Sequence, residues 1–173
     1  MKLLVLSDLH GRAERAERVI SLHRDAEAVL FLGDGLRELS ELCARMEFMP
    51  ICVRGNCDFF SMLGGADAPE ERMLRFGDFK ILMTHGHRQG VKHGTDTAIA
   101  YAASRGADLL LYGHTHLAEE QYLPEGTELG GLRLSRPLWV MNPGSLGEPR
   151  GGAPSYGLVQ IRGSSLLLSH GQV

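Results

Sequence analysis

Lys2-Leu3-Leu4-Val5-Leu6-Ser7-Asp8-Leu9-His10 is an aliphatic run that stops abruptly in a hydroxyl, a carboxylate and an imidazole. The run is too short for an amphipathic helix and too continuous for a half-exposed strand, so it reads as a strand buried on both faces. The same pattern recurs down the chain. Ala28 to Leu32 stops at Gly33-Asp34, Ile51 to Val53 at Gly55-Asn56, Phe79 to Met83 at His85-Gly86-His87, and Leu109 to Tyr112 at Gly113-His114-Thr115-His116. Leu138 to Met141 is a further strand, and Tyr156 to Ile161 with Leu166 to Leu168 predicts a closing hairpin through Arg162-Gly163-Ser164.

Segments of helical period lie between these runs. In Arg12 to Arg24 the less polar Ala13, Ala16, Val19, Ile20 and His23 recur at steps of three and four, as do Leu36, Leu39, Cys43 and Met46. Thr95 to Arg105 is alanine-rich and ends in Arg105-Gly106, a cation in the last turn followed by a C-terminal glycine. Alternating strands and helices alone favour an α/β fold with one doubly wound parallel sheet.

At 173 residues the chain is the size of one domain, 1–173, and with 43% hydrophobic and 23% charged residues it can bury an ordinary core. Neither disordered nor membrane classes fit. A formal charge of −3, with both signs interspersed, provides no basic face, so strong nucleic-acid binding is not expected. The first apolar run is shorter than a signal-peptide core and no stretch approaches the roughly 20 apolar residues of a membrane span. The expectation is a cytoplasmic protein without membrane association, with room for a homo-oligomer. Cys43, Cys52 and Cys57 lack the paired spacing of a zinc ribbon or disulfide framework. Gly64-Gly65-Ala66-Asp67-Ala68-Pro69 and Gly151-Gly152-Ala153-Pro154 read as loops, and the first could form a mobile rim.

Five consecutive strand ends thus carry Asp8 and His10, Asp34, Asn56, His85, and His114 and His116. In open α/β sheets the crevice beyond the carboxyl ends of the strands is where ligands bind, because it gathers loops from distant positions. Carboxylate, imidazole and amide oxygen suit manganese, iron, cobalt, nickel or zinc. Seven ligands exceed what one such ion takes, but divide naturally if Asp34 is shared by two ions about 3.5–4 Å apart. Such a pair acidifies a bridging water to hydroxide and screens phosphoryl oxygens, which makes phosphoester hydrolysis accessible near neutral pH.

Taken in order, Asp8-Leu9-His10, Gly33-Asp34, Gly55-Asn56-Cys57-Asp58, Thr84-His85-Gly86-His87 and Gly113-His114-Thr115-His116 resemble the motifs of the calcineurin-like metallophosphoesterases. Asn142-Pro143-Gly144-Ser145 with Pro149-Arg150 is similar to the ending of their small single-domain phosphodiesterase subgroup, and the likeness runs from about residue 2 to Arg150. The resemblance implies a four-layer sandwich of two mixed β-sheets flanked by helices. It implies Asp8, His10 and His116 on one metal, Asn56, His85 and His114 on the other, and Asp34 shared. Asp34, Asn56 and His114 carry the catalytic assignment. Two divalent ions, manganese first, and a small phosphodiester substrate follow from the same likeness. A phosphomonoesterase or nucleotidase is the alternative enzyme, and a protein-binding scaffold such as the related retromer subunit the non-enzymatic one. Cys57 stands where larger members of the superfamily carry a histidine that helps protonate the leaving group, and a neutral thiol is a poor substitute.

Singly, these motifs have plainer readings. Asp8 could cap a helix with His10 on the surface, and Gly33-Asp34 is an ordinary turn. His23, His93 and His170 read as structural or solvated. His87 divides between orienting a ligand and packing in a loop. Arg54, Arg88 and Arg150 lie near the motif loops, where phosphate oxygens or plain solvent could take them; with Cys57, Arg54 and Arg150 are the substrate-binding candidates. Asn142 to Ser145 reads most simply as a turn.

Overall fold

The computed structural model describes residues 1–58, 62–63 and 66–173, with the side chains of 62–63 and 66–67 left aside. Each of the eight aliphatic runs is a strand. Strands β1 (Lys2–Leu6), β2 (Ala28–Phe31) and β3 (Ile51–Cys52) alternate with helices α1 (Ala13–Leu22) and α2 (Leu36–Met46). The short strands β4 (Met62–Leu63) and β5 (Ala66–Asp67) pair with each other. Within the loop expected over Gly64 to Pro69, Ala66 and Asp67 instead form β5, while Gly64 and Gly65 lie outside the described residues. Then follow β6 (Glu71–Phe76), β7 (Phe79–Thr84), a 3-10 turn over Val91–His93, α3 (Asp96–Ser104), β8 (Leu109–Leu111) and β9 (Ala118–Leu123). The chain ends with β10 (Glu128–Leu129), β11 (Leu132–Arg133), β12 (Leu138–Pro143), β13 (Ser155–Arg162) and β14 (Ser165–Gln172).

The single doubly wound sheet suggested by alternation does not form. Two five-stranded mixed sheets do, ordered β14-β13-β1-β2-β3 and β6-β7-β8-β12-β9. The physical reason lies at β1: the terminal hairpin lays β13 antiparallel on its free edge, with Lys2 opposite Gln160, so the first sheet cannot extend there with parallel strands. β7, β8 and β12 therefore build a second parallel core, and antiparallel β6 and β9 close its edges.

The pleat sorts the side chains into layers. Leu3 and Val5 of β1 face Ile81, Met83, Leu109, Leu111 and Met141 of the second sheet, whereas Leu4 and Leu6 face Ala16, Val19, Leu39 and Leu42 of α1 and α2. On the outer face of the second sheet, Leu82, Leu110 and Val140 pack against Ala98, Ile99 and Ala102 of α3. The result is helix, sheet, sheet, helix, the two sheets meeting over a dry core. At about 25 cal/mol per Å² of apolar surface buried, each fully buried leucine contributes roughly 1.5–3 kcal/mol to this arrangement. Among the described residues no helix is long and apolar enough to cross a membrane.

Candidate metal centre

β1, β2, β3, β7 and β8 all end at one edge of the sandwich, and backbone hydrogen bonds stitch their loops together. Asp8 N donates to Gly33 O (2.9 Å), Leu9 N to Asp34 O (2.8 Å) and Gly113 N to His85 O (3.1 Å). These close approaches explain the glycines. A β-carbon on Gly55 would collide with the Asp34 carboxylate, and one on Gly113 with the Ser7 hydroxyl. Asp8, His10, Asp34, His114 and His116 all adopt positive φ, between 40° and 68°. Left-handed backbone costs an ordinary L-residue roughly 1–2 kcal/mol, and its concentration here marks strain held by the surrounding fold. Asp8 is no helix cap: α1 begins at Ala13 with Arg12 as its N-cap.

The seven candidate ligands come together. His85 Nδ1 lies 2.8 Å from Leu32 O, and His116 Nδ1 lies 2.7 Å from Glu148 O. A carbonyl only accepts, so these nitrogens carry the protons and each Nε2 presents a lone pair, a tautomer assigned from the hydrogen-bond network. His85 Nε2 then stands 3.3 Å from Asp34 Oδ2, 3.2 Å from Asn56 Oδ1 and 3.1 Å from His114 Nδ1. His116 Nε2 stands 3.2 Å from Asp8 Oδ1 and 3.3 Å from His10 Nε2. Acceptor thus faces acceptor where Asp34 Oδ2 and Asn56 Oδ1 approach His85 Nε2 and where Asp8 Oδ1 approaches His116 Nε2. Asp8 Oδ1 is buried and has no hydrogen-bond partner among the described residues. A buried carboxylate oxygen left without a donor is costly, and a cation on which all these lone pairs converge removes the cost. Asp8, His10 and His116 form one group that could hold a metal ion, and Asp34, His85 and His114 another. The donor set therefore fits divalent metal, with Asn56 Oδ1 beside the second group.

The charges of the centre act on one another. Burial opposes charge on Asp8, yet the imidazoles of His10 and His116 outweigh it and hold its carboxyl well below the usual range. Asp34 is likewise lowered against its burial, by His85 and by the Cys57 amide, which donates to Oδ1 at 2.8 Å. Burial pushes His114 down to about 4, with His85 and Lys92 adding to it, so its imidazole is a neutral donor near pH 7. The carboxylate of Asp8 raises His10, and the carboxylates of Asp34 and Asp8 raise His85 despite burial.

Four further side chains hold the loops, and none was singled out for this role by its sequence. Asp58, buried and adjacent to Cys57, accepts hydrogen bonds from the amides of Asp34 (2.7 Å), Gly35 (2.9 Å), Leu36 (3.0 Å) and Gly55 (2.9 Å). It joins two ligand loops and caps α2, whose own N-cap Gly35 has no side chain to do so. Ser7 Oγ donates to Asp8 Oδ2. The turn expected over Asn142 to Ser145 is not what forms: Asn142 and Pro143 end strand β12, the chain leaves the sheet at Gly144 with φ 81°, and Asn142 and Ser145 are wholly buried braces. Asn142 Nδ2 donates to Gly113 O and Thr115 Oγ1, and Ser145 Oγ donates to Asp8 O.

Around the centre, Cys57 is exposed overall, but partial desolvation of its thiol and the Asp34 charge push it up to about 11, so it stays neutral. Arg54 and Arg88 both pair with Glu70, at 2.8 and 2.6 Å. Arg150 is exposed, and its backbone amide donates to His116 O. His87 lies 5.4 Å from His85 between ring centroids, with a buried Nδ1 that has no partner among the described residues. His23 contacts Tyr156 Oη and His170 contacts Asn142 O, both structural roles.

The sequence model of the calcineurin-like phosphoesterase superfamily domain matches residues 1–164. A probable metallophosphoesterase of Bacillus subtilis, YsnB, is 33% identical over 150 residues, covering 87% of this chain and 78% of its own. The phosphodiesterase YfcE of Escherichia coli K12 is 29% identical over 180 residues, covering 92% and 87%. The crystal structure of a Streptococcus pneumoniae TIGR4 protein predicted to be a phosphoesterase superposes with a TM-score of 0.75 at 29% identity, over 98% of this chain and 87% of that one. Its sequence, its two-sheet architecture and the ligand-bearing strand ends together place this chain in the calcineurin-like phosphoesterase superfamily.

Proposed function

We propose that the chain is a metal-dependent phosphodiesterase acting on a small phosphodiester, with Asp8, His10 and His116 on one divalent ion, Asn56, His85 and His114 on a second, and Asp34 on both. The observation that carries this reading is the convergence of lone pairs around His85 Nε2 and His116 Nε2, with the orphaned Asp8 Oδ1 among them. When bound, such a pair supplies an acidified water and neutralises phosphoryl oxygens. The chain's own residues do the rest. Leu32 O and Glu148 O fix the His85 and His116 tautomers, and outer partners of this kind keep imidazoles aimed and basic. Asp34, tied through Oδ1 to the Cys57 amide, keeps Oδ2 for the centre.

Diesters are favoured over monoesters for two reasons. A relative carries the name phosphodiesterase, and the residue directly after Asn56 offers a neutral thiol rather than an imidazole able to give up a proton. A diester with a good leaving group asks least of such a site. The intact ligand set argues against a scaffold role, which has no need of it. Manganese suits the oxygen and imidazole donors. The test is to strip the purified protein of metal, refill it with manganese and assay a chromogenic diester beside the matching monoester. Faster diester turnover that depends on the metal is expected. Faster monoester turnover would shift the reading to a phosphomonoesterase, and no metal-restored turnover on either would end the enzymatic reading.

A further inference from the structure

We propose that Cys57 is a conditional metal ligand: with a thiophilic cation such as cadmium or zinc its thiolate joins His10 and Asp34 on the ion, and with manganese it does not. This rests on the metal centre proposed above. His10, Asp34 and Cys57 each offer a ligand atom, and none of the three atoms lies more than 4.8 Å from the others. Two donors sharing one ion at about 2.0–2.3 Å stand at most about 4.6 Å apart, so a small rotation about the Cys57 side chain closes the remaining gap. The residue is held in place for this. Its amide donates to Asp34 Oδ1 at 2.8 Å, and Asn56 Nδ2 lies 3.3 Å from its Sγ.

A second observation points to a cation at the same place. His10 belongs both to this group and to the group of Asp8 and His116, in which the fully buried Asp8 Oδ1 has no hydrogen-bond partner among the described residues. His10 is thus common to a group with an unmet buried carboxylate and a group with a thiol. Ligand softness decides which ions use the thiol, since thiolates favour zinc and its heavier relatives whereas manganese prefers oxygen. On binding, the S–H bond breaks, a sulfur–metal bond forms and the proton goes to bulk water, with no electron transferred. The thiolate then fills the open position that a catalytic ion must keep for water or substrate. Cys57 thereby makes the centre discriminate between cations rather than accept any of them as equivalent.

Metal-free wild-type protein and Cys57→Ser are titrated with cadmium and, separately, with manganese. A thiolate-to-cadmium charge-transfer absorption in the ultraviolet is expected in the wild type and not in the variant. Loss of an outer partner alone weakens metal binding 10–100-fold, so loss of a direct ligand should weaken cadmium binding by at least about tenfold; manganese affinity should not change. Cadmium binding without the band in the wild type overturns the proposal and leaves the metal centre standing. A band that persists in Cys57→Ser, where only the buried Cys43 and Cys52 remain, overturns it too, as does an equal loss of affinity for both ions. A wild type that binds neither ion overturns the centre and this inference together.

Discussion

Replacing Asp58 by asparagine tests how the site is held without touching a ligand. Its carboxylate takes the amides of Gly35 and Leu36 on Oδ1 and those of Asp34 and Gly55 on Oδ2. An asparagine keeps one oxygen and turns an NH2 group toward the other pair, so two buried amides lose their acceptor. At about 1–3 kcal/mol for each unsatisfied buried group, the loss is roughly 2–6 kcal/mol. The vanished charge at the start of α2 adds about 0.5 kcal/mol. Against a typical total of about 5–15 kcal/mol this is a large fraction, equivalent to a fall in Tm of roughly 5–25 °C for a chain of this size. Urea unfolding of metal-free Asp58→Asn and wild type measures it directly, because metal binding would otherwise add its own stabilisation. Metal affinity should fall as well, since Asp34 and Asn56 no longer share an anchor. A loss below about 1 kcal/mol, outside the cost of even one unsatisfied amide, would refute the bracing role.

Three further outcomes follow from the same geometry. Asp34→Ala should abolish binding of both ions and reduce activity by orders of magnitude; metal analysis alongside kinetics checks this, and unchanged activity contradicts a shared ligand. Cys57→His should leave the manganese content intact and raise turnover of esters with poor leaving groups, by up to about 100-fold, the scale of a positioned general acid; a series of leaving groups measures it, and a uniform rate change across the series speaks against proton donation. Removing metal with a chelator should lower Tm, because an ion at 100 times its Kd stabilises by about 2.7 kcal/mol; identical melting curves with and without manganese would count against occupied sites.

Much of this was legible in the chain because the central strands are buried on both faces. Leu3 to Leu6 faces helices on one side and the second sheet on the other, so the run had to be continuous, and each stop at Asp, Asn or His marked a strand end. Edge strands leave no such trace. Ala118-Glu119-Glu120-Gln121-Tyr122-Leu123 and Glu71-Arg72-Met73-Leu74-Arg75-Phe76 pair along one edge only and show water much of their surface, so charge masks their period. The choice between one sheet and two was likewise hidden from local pattern, since it depends on where the C-terminal hairpin docks, 150 residues from the strand it covers.

At the site, the ligands announced themselves by type and the braces did not. Asp58 acts on amides 22 to 24 residues away. One signal was present: α2 starts after Gly33-Asp34-Gly35 with no capping side chain of its own, so an acceptor had to come from elsewhere in the fold. Asn142 and Ser145 look like turn residues because Pro143 and Gly144 lie between them, yet Asn142 ends a strand, and only burial reveals that their side chains hold Gly113, Thr115 and Asp8 in place.

Crystals soaked in manganese, with data collected at an energy where its anomalous signal is strong, address the shared-carboxylate centre without reference to any substrate. Two peaks about 3.5–4 Å apart, with Asp34 between them, one beside His10 and His116 and the other beside His85 and His114, are what the convergent lone pairs require. A single peak, or none within reach of Asp34 in a crystal with manganese at saturating concentration, would contradict the binuclear account.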